Sequence, residues 1–176
     1  HYNPIVELLS TMPKPVVAAV NGVAAGAGAA FAFACDLRIA ADTAAVNLAF
    51  AGVALSCDSG ASWTLPRLVG AGRALDLLLR PRTISAAEAL DLGILTEVVP
   101  APELSDRVAQ VAAELAAGPT LAYASIRAAV RFSATHGLAE SLENEARGMD
   151  RTGASADHRE AVAAFLEKRR PELTGR

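Results

Sequence analysis

Lys14-Pro15-Val16-Val17-Ala18-Ala19-Val20-Asn21-Gly22-Val23-Ala24-Ala25-Gly26-Ala27-Gly28 is the stretch that decides how this chain is read. Residues 16–20 are apolar without alternation, the pattern of a strand covered on both faces. Asn21-Gly22 is turn chemistry. Gly26 and Gly28 flank Ala27, and residues 29–34 are small or aromatic and apolar, which suits a buried helix. The pattern predicts a strand, a glycine-rich turn and a helix start. Such a turn aims backbone N–H groups outward from a helix N-terminus, where they meet a phosphate or an oxyanion formed during a reaction.

On the residues alone the turn has three readings. A dinucleotide fingerprint fits poorly, because Phe31 stands where G-x-G-x-x-G needs its third glycine. The glycines are otherwise either packing devices that let helix and strand approach, or one side of an oxyanion hole. Outward from the turn, 3–12 reads as a helix with an apolar stripe of Ile5, Leu8, Leu9 and Met12, ended by Pro13. Short strands are expected at 36–41 and 45–48. A helix is expected over 70–79, broken by Arg80-Pro81-Arg82, which is read as a solvent-facing basic turn. Ser85-Ala86-Ala87-Glu88 is a capping box opening a helix that stops at Gly93, followed by a strand at 94–99. Helices are expected at about 102–117, 119–134, 137–152 and 156–169. Periodicity alone thus describes an α/β part followed by an all-helical part.

The chain has 176 residues, 52% of them hydrophobic and 20% charged, with a formal net charge of −3. That is enough chain for a sizeable core. The slight acidity argues against nucleic-acid binding. The most apolar run, 16–35, contains Asn21 and a turn signal, so no membrane span is expected. Cys35 and Cys57 fit neither a zinc site nor a C-x-x-C motif and read as reduced thiols of a cytoplasmic protein. The three histidines lack partners at ligand spacing, so no metal is expected.

The 14–28 stretch, followed by Cys35-Asp36-Leu37-Arg38-Ile39-Ala40, resembles the crotonase (enoyl-CoA hydratase/isomerase) superfamily. The resemblance implies a crotonase-like ββα spiral core over 1–100 and a helical oligomerisation region over 101–176, forming a homotrimer or a hexamer made of two trimers. It implies an acyl-CoA thioester substrate, with CoA part of the substrate and no separate cofactor. The backbone N–H of Ala27 then holds the thioester oxygen, and Ala25 lies at the CoA site. The family's chains carry a further segment at the front that supplies several strands and the other oxyanion donor. This chain, whose first residue is His1, corresponds to the C-terminal two-thirds of such a chain.

Two positions matter by what they lack. In the family's hydratases one Glu falls at the position of Ala30 and a second at the position of Phe50. Hydration needs a base to activate water and an acid to protonate C2, and neither Ala nor Phe does either. Gly52-Val53-Ala54-Leu55-Ser56-Cys57-Asp58-Ser59-Gly60-Ala61-Ser62-Trp63-Thr64-Leu65-Pro66-Arg67 is similar to one branch, the ring-1,2-epoxyphenylacetyl-CoA isomerases and related Δ3,Δ2-enoyl-CoA isomerases. That branch places its single acid at Asp58. The local reading of Asp58 is a helix N-cap. Cys57, Ala61 and Ala54 depart from the branch's Pro, Gly and Gly. A dry pocket lined by Phe31, Phe33, Phe50 and Trp63 would raise the acid's pKa, although each ring taken singly reads as core packing.

The ending Ser155-Ala156-Asp157-His158-Arg159-Glu160 through Phe165 and Lys168-Arg169-Arg170-Pro171 is similar to the family's closing motif. It implies that Phe165 packs near the CoA adenine and Lys168 reaches a phosphate. The local reading of these cations is a favourable helix C-terminus, and the two are compatible. The resemblance favours an isomerase. An enoyl-CoA hydratase and a non-catalytic CoA-thioester-binding homologue are the alternatives.

Overall fold

The computed structural model describes residues 2–176. After helix α1 (Asn3–Thr11), the chain lays down β1 (Val17–Val20), β2 (Val23–Ala25) and α2 (Ala27–Ala34), then β3 (Leu37–Ala41) and β4 (Ala45–Asn47). β1 pairs in parallel with β3, Val17 opposite Leu37, and β2 in parallel with β4, Val23 opposite Ala45. Parallel pairing of successive ββ units requires the chain to make a full turn between them, which α2 supplies. This is the ββα spiral. Helices α3 (Ala61–Val69) and α4 (Ala71–Leu79) follow, then β5 (Thr83–Ser85), α5 (Ala86–Asp91) and β6 (Glu97–Val99). β6 extends the first sheet to the order β1-β3-β6, and β5 extends the second, antiparallel to β4, to β2-β4-β5.

Four features differ from the sequence expectation. β2 intervenes between the Asn21-Gly22 turn and the helix. Its three residues are too few for a period to register, and Val23 and Ala25 face outward. β5 occupies what reads as a turn and cap. The strand expected at 94–99 starts only at Glu97, because the N–H groups of Ile94 and Leu95 both return to the carbonyl of Ala89 and bury the two side chains under α5. The capping box is half made: Ser85 Oγ accepts the Glu88 N–H, but the Glu88 carboxylate turns to Arg82. Arg80 likewise pairs with Asp76, so the basic turn is neutralised on both sides.

The chain divides into two compact units, residues 2–10 with Val16–Gln110, and Thr11–Pro15 with Val111–Arg176. The core of the first is built on Ile39, Leu48, Leu65, Ile84 and Ile94. Arg38 is buried there too. Its guanidinium donates to the carbonyls of Ile94 at 2.5 Å and Cys35 at 2.6 Å, tying β3 to the segment before β6, and burial pulls its pKa down. Beyond α6 (Leu104–Ala116), the second unit consists of α7 (Thr120–Ser133), α8 (Leu138–Gly153) and α9 (Ala156–Glu167). α7 packs along α8, where Arg151 donates to Ser125 Oγ at 2.6 Å. The helix expected to run to 169 stops at Glu167. Among the described residues no helix is long and apolar enough to cross a membrane.

Candidate active site

Gly26 joins β2 to α2. Its φ of 50° and ψ of −119° turn the chain sharply, its N–H donates to the Asn47 carbonyl at 2.9 Å, and its own carbonyl receives the Ala30 N–H at 3.1 Å. Ala27 is the first residue of α2, so its N–H has no intrahelical acceptor. Among the described residues no other acceptor meets it. Ala25 ends β2, exposed, in register with Asn47. Ala25 and Ala27 therefore stand on either side of one turn, with a free N–H donor at the helix head. A groove of about 300 Å³ in the same unit is lined by Gly28, Phe31 and Cys35 of the α2 segment, by Leu9, by Val20 at the end of β1 and by Asn21 after it.

Asp58 lies in the loop that precedes α3, which packs against α2, and it is exposed. It is not the helix cap. Gly60, left-handed at φ 78°, occupies that position, and the Gly60 carbonyl takes the N–H groups of Trp63 and Thr64. The loop holds two more left-handed residues that are not glycine, Ala54 at φ 58° and Ser59 at φ 51°. Ser59 is 2% exposed and its hydroxyl has no partner. Left-handed non-glycine backbone and a buried hydroxyl without a partner thus flank the exposed carboxylate.

The four rings have different surroundings. Trp63 is 41% exposed, with the Arg67 guanidinium 4.0 Å above its ring. Phe31 packs edge-on against Tyr2, centroids 5.4 Å apart. Phe33 and Phe50 are buried, and the Phe50 ring lies 3.7 Å from where a side chain on Gly26 would begin. Ala30 is buried completely within α2.

In the second unit Phe165 is 82% exposed near the end of α9, and Lys168 caps that helix at φ 55°. Among the described residues no three His, Cys, Asp or Glu side chains cluster as metal ligands.

A family model described as enoyl-CoA hydratase/isomerase matches residues 1–176. The chain belongs to the enoyl-CoA hydratase/isomerase family. It is 43% identical over 175 residues to the 1,2-epoxyphenylacetyl-CoA isomerase of Escherichia coli K12, covering 99% of this chain and 67% of the relative. It is 44% identical over 175 residues to a Rhodobacter capsulatus protein named "Probable enoyl-CoA hydratase", covering 99% and 68%. The crystal structure of an enoyl-CoA hydratase from Bacillus anthracis superposes with a TM-score of 0.96 at 33% identity, covering 99% of this chain and 68% of that one. The chain thus spans about two thirds of the length of these relatives. The crotonase fold and an acyl-CoA substrate class follow from membership of this family.

Sequence reasoning missed three features of these units: Ser59, Arg38 and the carboxylates of α9 that receive the chain's last residues. The signal for the last was present, two acids three residues apart ahead of Lys168-Arg169-Arg170.

Proposed function

We propose that this chain serves an acyl-CoA isomerase in which Ala27 donates to the thioester oxygen and Asp58 moves one proton. The observation that carries this reading is the count of acids. Of the three positions where the family resemblance places carboxylates, Ala30 and Phe50 are apolar and buried, while Asp58 is exposed at the head of α3. A hydrogen bond to the thioester oxygen stabilises an enolate and makes the proton alpha to the carbonyl removable. The Asp58 carboxylate takes the C2 proton of a 3-enoyl thioester as the C–H electron pair moves into the enolate. It returns the same proton at C4 as the enolate collapses, leaving a 2-enoyl thioester of unchanged mass. Ring rearrangement of an epoxide thioester uses the same enolate stabilisation. Ala25, Phe165 and Lys168 hold the CoA portion in this reading, the two last at the adenine and a phosphate. The helical region over 101–176, from α6 onward, forms a trimer or a pair of trimers, in a cytoplasmic protein.

The test is product mass from a 3-enoyl-CoA and, separately, a 2-enoyl-CoA, with the whole protein and its Asp58→Asn variant. The expected result is a double-bond shift without mass gain, reduced about 10²-fold or more in the variant, the scale of a lost general base. Addition of one water that persists in Asp58→Asn would overturn the reading in favour of hydration. No turnover of either substrate or of an epoxide thioester, with CoA still bound, would favour a binding protein.

A further inference from the structure

Residues 168–176 double back along α9. The helix stops where Lys168 turns left-handed, and the N–H groups of Lys168 and Arg169 close onto the carbonyls of Ala164 and Phe165. Glycine is the usual occupant of such a stop, because a side chain disfavours the conformation. Something beyond local preference must hold the reversal. Glu160 does so. Its carboxylate receives two hydrogen bonds from the Arg169 guanidinium, at 2.5 and 3.1 Å, and one from the Glu172 N–H at 2.9 Å. One turn earlier, the buried Asp157 receives the N–H groups of Thr174 and Gly175 at 2.7 and 2.8 Å. Its own N–H donates to the Arg176 carbonyl at 2.9 Å. Asp157 and Glu160 share a helix face, so the returning segment is strapped along it. Phe165 and Leu166 stand outside that strap, exposed.

The strap also sorts the cations. Arg169 is consumed inward by Glu160 and by Glu167 at 2.6 Å. Lys168, its neighbour, has no carboxylate partner among the described residues. The outcome is a lysine without a carboxylate partner three residues from an exposed ring, on a turn held by Arg169 and Glu160.

We propose that Glu160 is a positioning residue for the nucleotide end of the CoA thioester. Through Arg169 and the Glu172 N–H it holds the left-handed turn, so that the Lys168 ammonium and the Phe165 ring form one preformed patch for a phosphate and a purine. This rests on the CoA roles given above to Phe165 and Lys168. A loosened turn would leave the reacting atoms untouched and weaken only the hold on the nucleotide.

The experiment compares kcat/KM for an acyl-CoA with that for the same acyl group on pantetheine, which lacks the nucleotide. The ratio of the two is read in the whole protein and in Glu160→Gln, Arg169→Gln, the double variant and Lys168→Ala. Affinity for adenosine 3′,5′-bisphosphate, measured by calorimetry, gives a reading independent of turnover. The expected result is an approximately tenfold fall in the ratio, and in that affinity, for Glu160→Gln, with the double variant no worse than either single one. Such a fall corresponds to about 1.4 kcal/mol. A purely structural role would lower both substrates together and leave the ratio unmoved, which would overturn the proposal. If Lys168→Ala separates the two substrates and Glu160→Gln does not, the proposal fails and the CoA reading survives. If Lys168→Ala does not separate them, the CoA reading fails and the proposal with it.

Discussion

The two glycines of the 26–28 turn are alike in sequence and opposite in structure, and exchanging each for alanine separates their roles. Gly26 sits at φ 50° and ψ −119°, the mirror image of the first corner of a type II turn, which a residue with a Cβ disfavours. Gly28 lies inside α2, with nothing within 4 Å of the position a Cβ would take. A methyl group on Gly26 would lie 3.7 Å from the Phe50 ring, an ordinary contact. The cost of Gly26→Ala is therefore in the backbone and not in packing. A residue held in such a region costs about 1–3 kcal/mol, offset by about 0.4–1 kcal/mol from the stiffer unfolded chain. Taking the middle of each range, the net loss is about 1.3 kcal/mol on those principles. Gly28→Ala should gain about 0.5–1 kcal/mol, the ordinary preference of a helix for alanine.

The assay is urea unfolding of both variants and of Gly26→Ala combined with Phe50→Leu, comparing midpoints at constant slope. Added space beside the turn cannot relieve a dihedral. The combined variant should therefore be no more stable than Gly26→Ala alone. Recovery in the combined variant would refute the backbone argument and assign the cost to the ring. A Gly26→Ala protein within about 0.5 kcal/mol of the parent, the scatter of a neutral surface change, would refute it as well. A strained Gly26 that relaxes also takes its N–H away from Asn47 and re-aims the neighbouring Ala27 N–H. Turnover should then fall in Gly26→Ala by more than the loss of folded protein, and stay near the parent level in Gly28→Ala.

Two further outcomes follow. Ser59→Ala should raise the unfolding midpoint, by about 1 kcal/mol, because a buried hydroxyl without a partner costs about 1–3 kcal/mol, and Ser59→Gly should do at least as well by also relieving φ 51°; a loss in either variant would mean that the hydroxyl has a partner. The strap on α9 should release only in strong acid: Arg169 and the Glu172 N–H hold Glu160 down at about 2, and the Thr174 and Gly175 N–H groups hold Asp157 below its ordinary value. Carboxylates depressed in the folded state contribute stability that is complete above their unfolded pKa and is lost as pH falls through the folded one. Amide signals of Glu172, Thr174 and Gly175 should stay unchanged at pH 4.5 and shift on approach to pH 2, whereas an inflection at pH 4.5 or above would contradict the assignment.

Periodicity marked an α/β part followed by helices, and the spiral itself came from the family resemblance. Residues 16–20 and 29–34 carry uninterrupted apolar runs, yet β1 is covered less than that pattern implies: Val20 is buried, Val17 and Ala18 are half-buried and Ala19 is exposed, while α2 buries Ala29, Ala30 and Phe33. β2 and β5 left no comparable mark. Each is three residues long, and in both the first and last residues face outward, so their place is set by the partner strand β4 and not by their own side chains. The site divides in the same way. Glycine spacing marked the turn at Gly26 as a backbone signal, and the family resemblance assigned the donor role to Ala27. The surroundings of Asp58 were not, since which rings face which loop depends on contacts distant in sequence. Trp63 lies five residues from Asp58 and faces outward beneath Arg67, whereas Phe50 lies beside Gly26, 24 positions earlier.

Sequence identity does not separate the two candidate chemistries, because the isomerase and the hydratase-named relative stand one percentage point apart. The side chains at three positions are what support the isomerase reading proposed above. Ala30 has no accessible surface, so its position has been given over to packing within α2 and has no room for a hydrated carboxylate. Phe50 places a buried aromatic ring beside Gly26, at a position where the hydratase reading would need an acid. Both changes act in the same direction: hydration needs water at the reacting carbon and two proton transfers, while an enolate held by Ala27 needs only one carboxylate and benefits from dryness around the oxygen. Asp58, exposed on the loop that carries left-handed Ala54 and Ser59, is the residue the proposal assigns to that role. In the proposed reading, one turn donor and one acid suffice for moving a proton along an acyl chain, whereas adding water to it needs a second proton-transferring group.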